Sequence, residues 1–247
     1  MEQTPSGEWF ETWFDSPFYH VLYSNHDEKE AFHLGANLMK FLPIVPEHKV
    51  LDIGCGRGRH AIIFSQLGMD VTGVDLSKHN IEYAKKLENP SLHFYVHDML
   101  YTFMPESYDV VTNLFTSIGY FDRDNDNQRA IVSGAGNLKS GGKMVIDFFN
   151  TRKIVKKIIP RYTLTKGGVE FNIRKKYTGG YIFKDIRFRY QGKNYRFQER
   201  VKALTISDFS DYFKNAGLKI VAVLGNYEME QFDAEESERL ILVGEKV

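Results

Sequence analysis

The sequence predicts an α/β fold around a mostly parallel sheet, with an antiparallel last strand and an inserted antiparallel sheet. Short apolar runs alternate with runs of helical periodicity over residues 47–150, as in a parallel sheet covered on both faces. Period-2 alternation of apolar and polar residues then takes over in residues 161–202. The last two apolar runs are separated by too few residues for a helical crossover, so we expect them to pair antiparallel.

Composition narrows the class of protein. The chain has 247 residues and is 43% hydrophobic, which suits one α/β domain with an insertion. Lys+Arg and Asp+Glu both number 32, so the overall charge does not point to nucleic acid or to an anionic membrane. The single cysteine excludes an intramolecular disulfide and favours a reducing compartment. With no secretory signal pattern and no apolar run of transmembrane length, we expect a soluble, cytoplasmic protein without membrane association.

Residues 1–46 are predicted to form an N-terminal aromatic cap and a helix. The stretch 9–23 holds two tryptophans, three phenylalanines and two tyrosines. A helix from Asp27 to Leu42 follows from the spacing of its apolar residues, and it ends before Pro43. The aromatic side chains of the cap can either pack onto the core or form the wall of a substrate pocket.

The core is predicted to comprise residues 47–160 and 203–247, and the insert residues 161–202. Core strands are expected at 49–54, 69–75, 92–98, 108–115, 143–149, 219–229 and 239–247. Core helices are expected at 59–67, from the cap Ser77 to about 87, at 125–138, and from the Thr205–Asp208 capping box to Gly217. Glycine turns at 167–168, 179–180 and 192–193 divide the insert into three or four antiparallel strands.

The insert carries a local excess of positive charge. It contains twelve Lys/Arg against three Asp/Glu, interleaved with aromatic residues. This pattern could bind RNA through phosphate contacts and base stacking. It is equally typical of a half-buried sheet with aromatic side chains inside and charged side chains outside. We favour the second interpretation, in which the insert is a lid or an oligomer interface, with a homodimer as the expected assembly and nucleic acid as the less favoured partner.

The densest motif is the run VLDIGCGRG at 50–58, where Gly54, Gly56 and Gly58 separate a strand from a helix. Glycine permits a positive φ and lets a ligand touch the backbone. The helix N-terminus beyond it offers free N–H donors suited to a carboxylate or phosphate. Asp75 ends the second strand, where an acid reaches ribose hydroxyls, and Asp98 ends the third.

The carboxyl ends of parallel strands share one edge of the sheet, so Asp52, Asp75 and Asp98 should line one crevice. This combination resembles the class I S-adenosylmethionine-dependent methyltransferases. GVDLS at 73–77 is similar to their second motif, HDM at 97–99 to their adenine-contacting segment, and NLFTSIGYF at 113–121 to the segment after the fourth strand. The resemblance covers about residues 47–150 and 203–247, and it implies a Rossmann-like, seven-stranded methyltransferase sheet.

The resemblance implies S-adenosyl-L-methionine as methyl donor, S-adenosyl-L-homocysteine as product, and no metal. The three glycines would pass under the methionyl part, Asp75 would hold both ribose hydroxyls, and Asp98 would accept from the adenine amino group. Asp52 has an alternative role, in which it bonds the N–H groups of the glycine turn itself. The complete set of expected cofactor-binding residues is Asp52, Gly54, Cys55, Gly56, Gly58, Asp75, Leu76, Asp98, Met99, Leu114 and Phe115.

Within this superfamily, GRGRH, HDM, TSIGYF and ALTISDFSDYFKNAGL are most similar to small-molecule enzymes related to aminosugar N,N-dimethyltransferases. Several of those relatives read SSIGH where this chain reads TSIGY, so Tyr120 replaces a histidine near the acceptor. Tyr120 is therefore the candidate catalytic residue. Tyr19, His20, Tyr23 and Tyr120 are the candidate substrate-binding residues, and catalysis is expected to depend mainly on positioning and exclusion of water.

The expected reaction is methyl transfer to N or O of a small molecule. An RNA methyltransferase that uses the basic insert is one alternative, and a cofactor-binding protein without catalysis is another. A NAD-dependent oxidoreductase is a weaker one, because the glycines lack the GxGxxG spacing of dinucleotide-binding turns.

Overall fold

The computed structural model describes residues 9–24 and 28–247, which contain eleven strands and eight α-helices. The strands are β1 (Lys49–Ile53), β2 (Asp70–Asp75), β3 (Leu92–Val96), β4 (Tyr108–Asn113), β5 (Leu138–Phe149), β6 (Arg161–Lys166), β7 (Val169–Thr178), β8 (Tyr181–Tyr190), β9 (Lys193–Lys202), β10 (Leu218–Leu224) and β11 (Arg239–Lys246). The helices are α1 (Trp9–Phe14), α2 (Pro17–Leu22), α3 (Glu28–Phe41), α4 (Arg59–Gln66), α5 (Lys78–Ala84), α6 (Asp124–Gly136), α7 (Thr151–Lys156) and α8 (Ile206–Asn215).

The predicted α/β fold is confirmed, with a seven-stranded sheet in the order β10-β11-β5-β4-β1-β2-β3 and a separate four-stranded sheet. Strands β1 to β5 pair in parallel, so their carboxyl ends meet at one edge. Strand β11 runs antiparallel to both β5 and β10, which confirms the predicted antiparallel tail. The link between β10 and β11, residues 225–238, is longer than predicted because β10 ends at Leu224, and it contains no helix that could return the chain for parallel pairing.

Both faces of the larger sheet are buried. Leu51 and Ile53 of β1 belong to a core shared with α6 and α8, while Val50 belongs to the core on the opposite face, shared with α3, α4 and α5. Burial on both faces explains why the parallel strands are apolar runs without alternation. Within residues 9–24 and 28–247, no helix combines the length and the hydropathy needed to span a bilayer.

Several predicted boundaries were wrong. Strand β5 begins at Leu138, five residues before its predicted start, because the chain leaves α6 at Gly136 and becomes extended at once. The strand predicted at 219–229 ends at Leu224, where Gly225 N–H donates to the Glu230 carbonyl and turns the chain. Helix α7 was not predicted, and the side chain of Asn150 caps it. Asp27, the expected first residue of α3, lies outside the described residues.

The Thr205–Asp208 capping box at the start of α8 has the predicted hydrogen bonds. The insert has four strands in the order β6-β7-β8-β9, all antiparallel. Its inner face packs against α1 and α2 in a third core that includes Trp13, Phe171 and Phe188. The division into cap, core and insert stays a prediction, but the described part of the cap and the insert share one hydrophobic cluster.

Candidate active site

A cavity of about 700 Å³ lies beyond the carboxyl ends of β1 to β4. Its volume is typical of sites for a cofactor and a small substrate. It brings together nine of the predicted cofactor-binding residues and all four predicted substrate-binding residues. The cofactor-binding residues are Gly54, Cys55, Gly56, Asp75, Leu76, Asp98, Met99, Leu114 and Phe115, and the substrate-binding residues are Tyr19, His20, Tyr23 and Tyr120. Asp52 and Gly58 do not line it.

The glycine turn, residues 54–58, leads from β1 to α4, and its three glycines all have positive φ. A Cβ on Gly54 would lie 2.8 Å from the Ser117 Cβ, and one on Gly58 would lie 2.5 Å from the Phe94 ring. A Cβ on Gly56 would meet no atom within 4 Å. Packing of the protein itself therefore requires two of the glycines, and only Gly56 leaves open space on the cavity side for a ligand.

Asp75, at the end of β2, fixes the turn from the neighbouring strand. Its Oδ2 accepts from the Gly56 N–H at 2.8 Å, and its Oδ1 accepts from the Ser77 N–H at 2.9 Å. Burial raises the pKa of Asp75, although both N–H donors favour the charged form. Each carboxylate oxygen accepts more than one hydrogen bond, so this side chain can hold the turn and still accept from ribose hydroxyls.

Asp52 lies beneath the turn rather than in the cavity. Thr112 Oγ1 donates to its Oδ1 at 2.8 Å, and its Oδ2 has no partner in the described part of the chain. Burial raises the pKa of Asp52 to about 7. The alternative in which Asp52 bonds the turn is wrong, because the Gly54 and Cys55 N–H groups donate to the Val74 carbonyl. Its assignment to the cofactor stays a prediction.

Asp98 follows β3 at the same edge, two strands from the glycine turn. Its Oδ1 accepts from the Leu100 N–H at 2.9 Å, which leaves capacity for another donor on a carboxylate that lines the cavity. Met99, beside it, contacts both the cavity and the core on that face. This placement fits the predicted role of Asp98 toward an amino group.

The loop after β4, residues 114–119, forms the remaining wall on this side. Phe115 and Thr116 have φ values of 59° and 61°, the left-handed region that favours glycine. Two successive N–H groups bind Asp147 of β5: Phe115 donates to Asp147 Oδ2 at 2.9 Å, and Thr116 to the Asp147 carbonyl at 2.9 Å. Ser117 Oγ donates to the Gly54 carbonyl at 3.3 Å, so this loop touches the glycine turn.

Comparison with known proteins identifies the class of enzyme. Residues 50–142 match a protein family described as a methyltransferase domain. The chain is also 26% identical, over 183 residues, to a dTDP-3-amino-3,4,6-trideoxy-alpha-D-glucopyranose N,N-dimethyltransferase from Streptomyces venezuelae, covering 69% of this chain and 75% of the relative. The protein is an S-adenosylmethionine-dependent methyltransferase.

Further relatives agree with this assignment. A ubiquinone biosynthesis O-methyltransferase from Saccharophagus degradans is 27% identical over 197 residues, covering 78% of this chain and 72% of the relative. Two solved structures are similar in fold. A methyltransferase from Clostridium acetobutylicum has a TM-score of 0.78 at 16% identity, covering 93% of this chain and 96% of that one. An amino pentose methyltransferase from Micromonospora echinaspora has a TM-score of 0.73 at 19% identity, covering 94% of this chain and 98% of that one.

The methyltransferase contains a buried ion pair behind the loop 114–119 that the sequence did not reveal. Arg239 Nε, on β11, donates to Asp147 Oδ1 at 2.7 Å, and its Nη2 donates to Thr116 Oγ1 at 3.2 Å. The Tyr227 hydroxyl donates to Asp147 Oδ2 at 3.1 Å. Burial lowers the pKa of Arg239, but the Asp147 carboxylate and other neighbours outweigh it and raise that pKa. One signal was available: an aspartate inside the apolar run KMVIDFF needs a partner when it is buried.

One wall of the methyltransferase cavity is aromatic and includes Tyr19, Tyr23 and Tyr120. The Tyr120 hydroxyl donates to the Thr116 carbonyl at 2.6 Å, so it holds the loop 114–119 as well as lining the cavity. Burial is the largest cause that raises the pKa of Tyr19, Tyr23 and Tyr120. All three phenols therefore stay protonated at neutral pH and act there as hydrogen-bonding groups, not as bases. The predicted catalytic role of Tyr120 stays a prediction.

Tyr23 connects the cavity to a buried polar cluster on the insert. Its hydroxyl donates to Glu199 Oε1 at 2.6 Å and accepts from Lys184 Nζ at 2.5 Å. Trp13 Nε1 also donates to Glu199 Oε1, at 2.7 Å. Glu199 and Lys184 were not among the predicted site residues. The alternation of apolar and polar residues placed both on the inner face of the insert sheet, but it did not show which side chains lie against them.

His20 sits at the edge of the cavity, with its Nε2 3.2 Å from Asn80 Oδ1. Burial, with the charge of Arg57, lowers the pKa of His20 to about 4, so its ring is neutral at pH 7. Within residues 9–24 and 28–247, no three His, Cys, Asp or Glu side chains come together in an arrangement that could hold a metal ion.

Proposed function

We propose that this methyltransferase methylates N or O of a small molecule that binds in the same cavity as the cofactor. One observation carries the proposal: the predicted cofactor residues and the aromatic side chains of Tyr19, Tyr23 and Tyr120 line the same cavity. S-adenosylmethionine supplies an electrophilic methyl group when it binds. Because that donor is already activated, the chain has to orient the acceptor and exclude water.

The residues present fit this cofactor. Gly56 leaves a space that any side chain would fill. The carboxylates of Asp75 and Asp98 line the cavity at the same edge of the sheet and provide hydrogen-bond acceptors. Leu114 and Phe115 supply apolar contact between the glycine turn and the aromatic wall. Each of these assignments is a proposal that substitution can test residue by residue.

On the acceptor side, the Tyr23 hydroxyl bridges the cavity to the Glu199 carboxylate. An acceptor that loses a proton can pass it to the Tyr23 oxygen while the phenolic proton moves to Glu199. Lys184, whose Nζ lies 3.6 Å from Glu199 Oε2, balances the negative charge of that carboxylate. Since the phenol pKa is raised, Tyr23 serves as a relay and the carboxylate is the final base.

Similar proteins suggest the class of acceptor to test first. Two of them are named as methyltransferases of amino sugars, the dTDP-3-amino-3,4,6-trideoxy-alpha-D-glucopyranose N,N-dimethyltransferase and the amino pentose methyltransferase. The substitution of Tyr120 for a histidine in the TSIGY segment distinguishes this chain from several such relatives, so amine-bearing sugars are a first panel and hydroxylated small molecules a second.

The insert favours a small-molecule acceptor over RNA. Aromatic residues that could stack on bases, such as Phe171, Phe188 and Phe197, face inward and pack against Trp13 and Phe18. On the outer face, Arg187 and Arg196 both bind Asp185. The pattern of aromatic and basic residues therefore matches a half-buried sheet.

We further propose the three-part organisation of cap (1–46), core (47–160 and 203–247) and insert (161–202), with the insert as a lid. The insert packs on α1 and α2, and α2 lines the cavity. A homodimer and a cytoplasmic location are expected as well. Light scattering of the purified protein measures the first, and fractionation of cells measures the second.

The experiment that tests the function uses cofactor with a radiolabelled methyl group and fractionated cell extract. We expect label in the small-molecule fraction. Label in RNA would replace the proposal with the RNA alternative, and cofactor binding without transfer to any fraction would identify a non-catalytic binding protein. The Asp75→Ala variant at limiting cofactor is the matched control, because it should lower the labelling of every true product.

A further inference from the structure

We infer that Asp147 and Arg239 are positioning residues for cofactor binding, since their buried ion pair holds Phe115 and Thr116 in a left-handed backbone against the cavity. The inference rests on the cofactor site proposed above. It assigns a role to two side chains that lie behind the cavity wall, on β5 and β11.

The backbone of this segment needs an external hold. Two consecutive non-glycine residues have positive φ, 59° at Phe115 and 61° at Thr116. The left-handed region is unfavourable for any residue with a Cβ, and for a β-branched residue such as threonine it is an outlier. Left to itself, the segment would return to negative φ.

Asp147 and Arg239 supply that hold through several contacts. Asp147 accepts from the N–H of Phe115 through its carboxylate and from the N–H of Thr116 through its carbonyl, both at 2.9 Å. Arg239 binds the Asp147 carboxylate at 2.7 Å and the Thr116 hydroxyl at 3.2 Å. Asp147 is fully buried, so these bonds form without competition from water.

The held segment shapes the cavity directly. Phe115 and Thr116 line it, and the Arg59 guanidinium lies 4.8 Å above the Phe115 ring. Ser117, the next residue, packs against Gly54 of the glycine turn. A change of φ at Phe115 or Thr116 would therefore move the part of the cavity lining that touches the glycine turn.

A purely structural role would be to join β5 to β11, and substitution at Thr116 separates the two roles. Glycine adopts positive φ without a Cβ penalty, whereas alanine keeps the penalty. Both substitutions remove the Thr116 hydroxyl. If the ion pair acts by holding the left-handed segment, glycine should compensate for its loss and alanine should not.

The test measures the Kd of S-adenosylhomocysteine by calorimetry. The paired variant Asp147→Asn/Arg239→Gln removes both charges together, so neither is left buried alone. We expect its Kd to rise about 10-fold, because only about a tenth of the molecules keep the binding-competent loop. Adding Thr116→Gly should bring the Kd back to within about 3-fold of wild type, and adding Thr116→Ala should not.

A milder variant keeps the inference testable if the paired one does not fold, as judged by circular dichroism. Arg239→Lys retains a cation beside Asp147 but loses the fork that reaches both Asp147 and Thr116. For Arg239→Lys we expect a Kd of S-adenosylhomocysteine about 3-fold above wild type. Adding Thr116→Gly should restore the wild-type Kd, and adding Thr116→Ala should not.

Two results would overturn the inference while the cofactor site stands: wild-type affinity in both the paired and the Arg239→Lys variants, or equal recovery with glycine and alanine. Failure of the wild-type chain to bind S-adenosylhomocysteine is a different outcome, because it would remove the cofactor site itself.

Discussion

Two loops of this methyltransferase touch each other and both line the cavity, and they reach the same kind of backbone by different means. The glycine turn 54–58 uses glycine at each of its three positive-φ positions. The loop 114–119 places phenylalanine and threonine at two such positions, with glycine only at Gly119. The first loop carries its conformation in its own residues, while the second takes it from Asp147, Arg239 and Tyr120.

This difference decides what each loop can tolerate. Substitution inside the glycine turn should create a clash or a left-handed Cβ, and so change the stability of the core. The second loop should be sensitive to residues far away in the chain, and changes there should alter ligand affinity more than stability. The following substitutions test that contrast in order of expected effect.

The largest effect is expected at the strand ends below both loops. Asp52 precedes the glycine turn and binds Thr112, which lies in the strand before the second loop. Because burial raises the pKa of Asp52 from 3.8 to about 7, the folded state binds more protons than the unfolded state within that window. This group therefore lowers the free energy of unfolding as pH rises from about 4 to 7.

Asp52→Asn removes the destabilisation that the buried charged carboxylate causes above its pKa, and it keeps an oxygen to accept from the Thr112 hydroxyl. At pH 8 we expect the variant to be more stable by roughly 2–4 kcal/mol, and the gain to shrink toward pH 4. Urea unfolding of both proteins at several pH values measures this. A variant that is less stable at pH 8 would show that the charged carboxylate stabilises the fold, and weaker S-adenosylhomocysteine binding would support a direct role toward the cofactor.

Gly58→Ala tests the claim that packing requires this glycine. Its Cβ would lie 2.5 Å from the Phe94 ring at a φ of 87°, so we expect a loss of about 3 kcal/mol in the free energy of unfolding. Gly56→Ala is the matched control, since its Cβ meets open space and should mainly weaken S-adenosylhomocysteine binding. Equal losses of stability in the two variants would erase the distinction between the glycines.

Asp75→Ala removes the carboxylate that holds the Gly56 and Ser77 N–H groups. We expect the affinity for S-adenosylhomocysteine to fall 10-fold or more, about 1.4 kcal/mol for each factor of ten. Calorimetry measures the Kd, and thermal unfolding shows whether the fold is kept. Unchanged affinity would take Asp75 out of the proposed site.

Tyr120→Phe tests the second loop with the smallest change. It removes the hydroxyl that donates to the Thr116 carbonyl at 2.6 Å, which is worth about 1 kcal/mol. We expect a Kd for S-adenosylhomocysteine about 3-fold above wild type, because the loop 114–119 loses one of the hydrogen bonds that fix its backbone. Lower turnover with unchanged affinity would instead place the hydroxyl beside the acceptor, as the sequence comparison predicted.

The same contrast explains how far sequence analysis reached. The glycine turn and the acids at or just after the ends of β2 and β3 were predicted because adjacent residues specify each of them. The antiparallel tail was also predicted, although the link between β10 and β11 is longer than the apolar runs indicated. The Asp147–Arg239 pair and the Tyr23–Glu199 contact join residues 92 and 176 positions apart, and no local pattern specifies such a partner. Helix α7 and the early start of β5 were missed because Asn150 and the residues after Gly136 act through caps and pairing that apolar periodicity does not reveal.

The position of Arg239 also has a consequence for how the chain folds while it is being translated. It contacts Thr116 across 123 residues and stands in β11, the strand between β5 and β10. During translation the glycine turn can form as soon as its own strands emerge, but the loop 114–119 can be held by Arg239 only after the insert, β10 and β11 have left the ribosome. A nascent chain that stops before residue 239 would lack the Arg239 contacts to Asp147 and Thr116. We therefore expect it to bind the cofactor more weakly than a chain that includes β11.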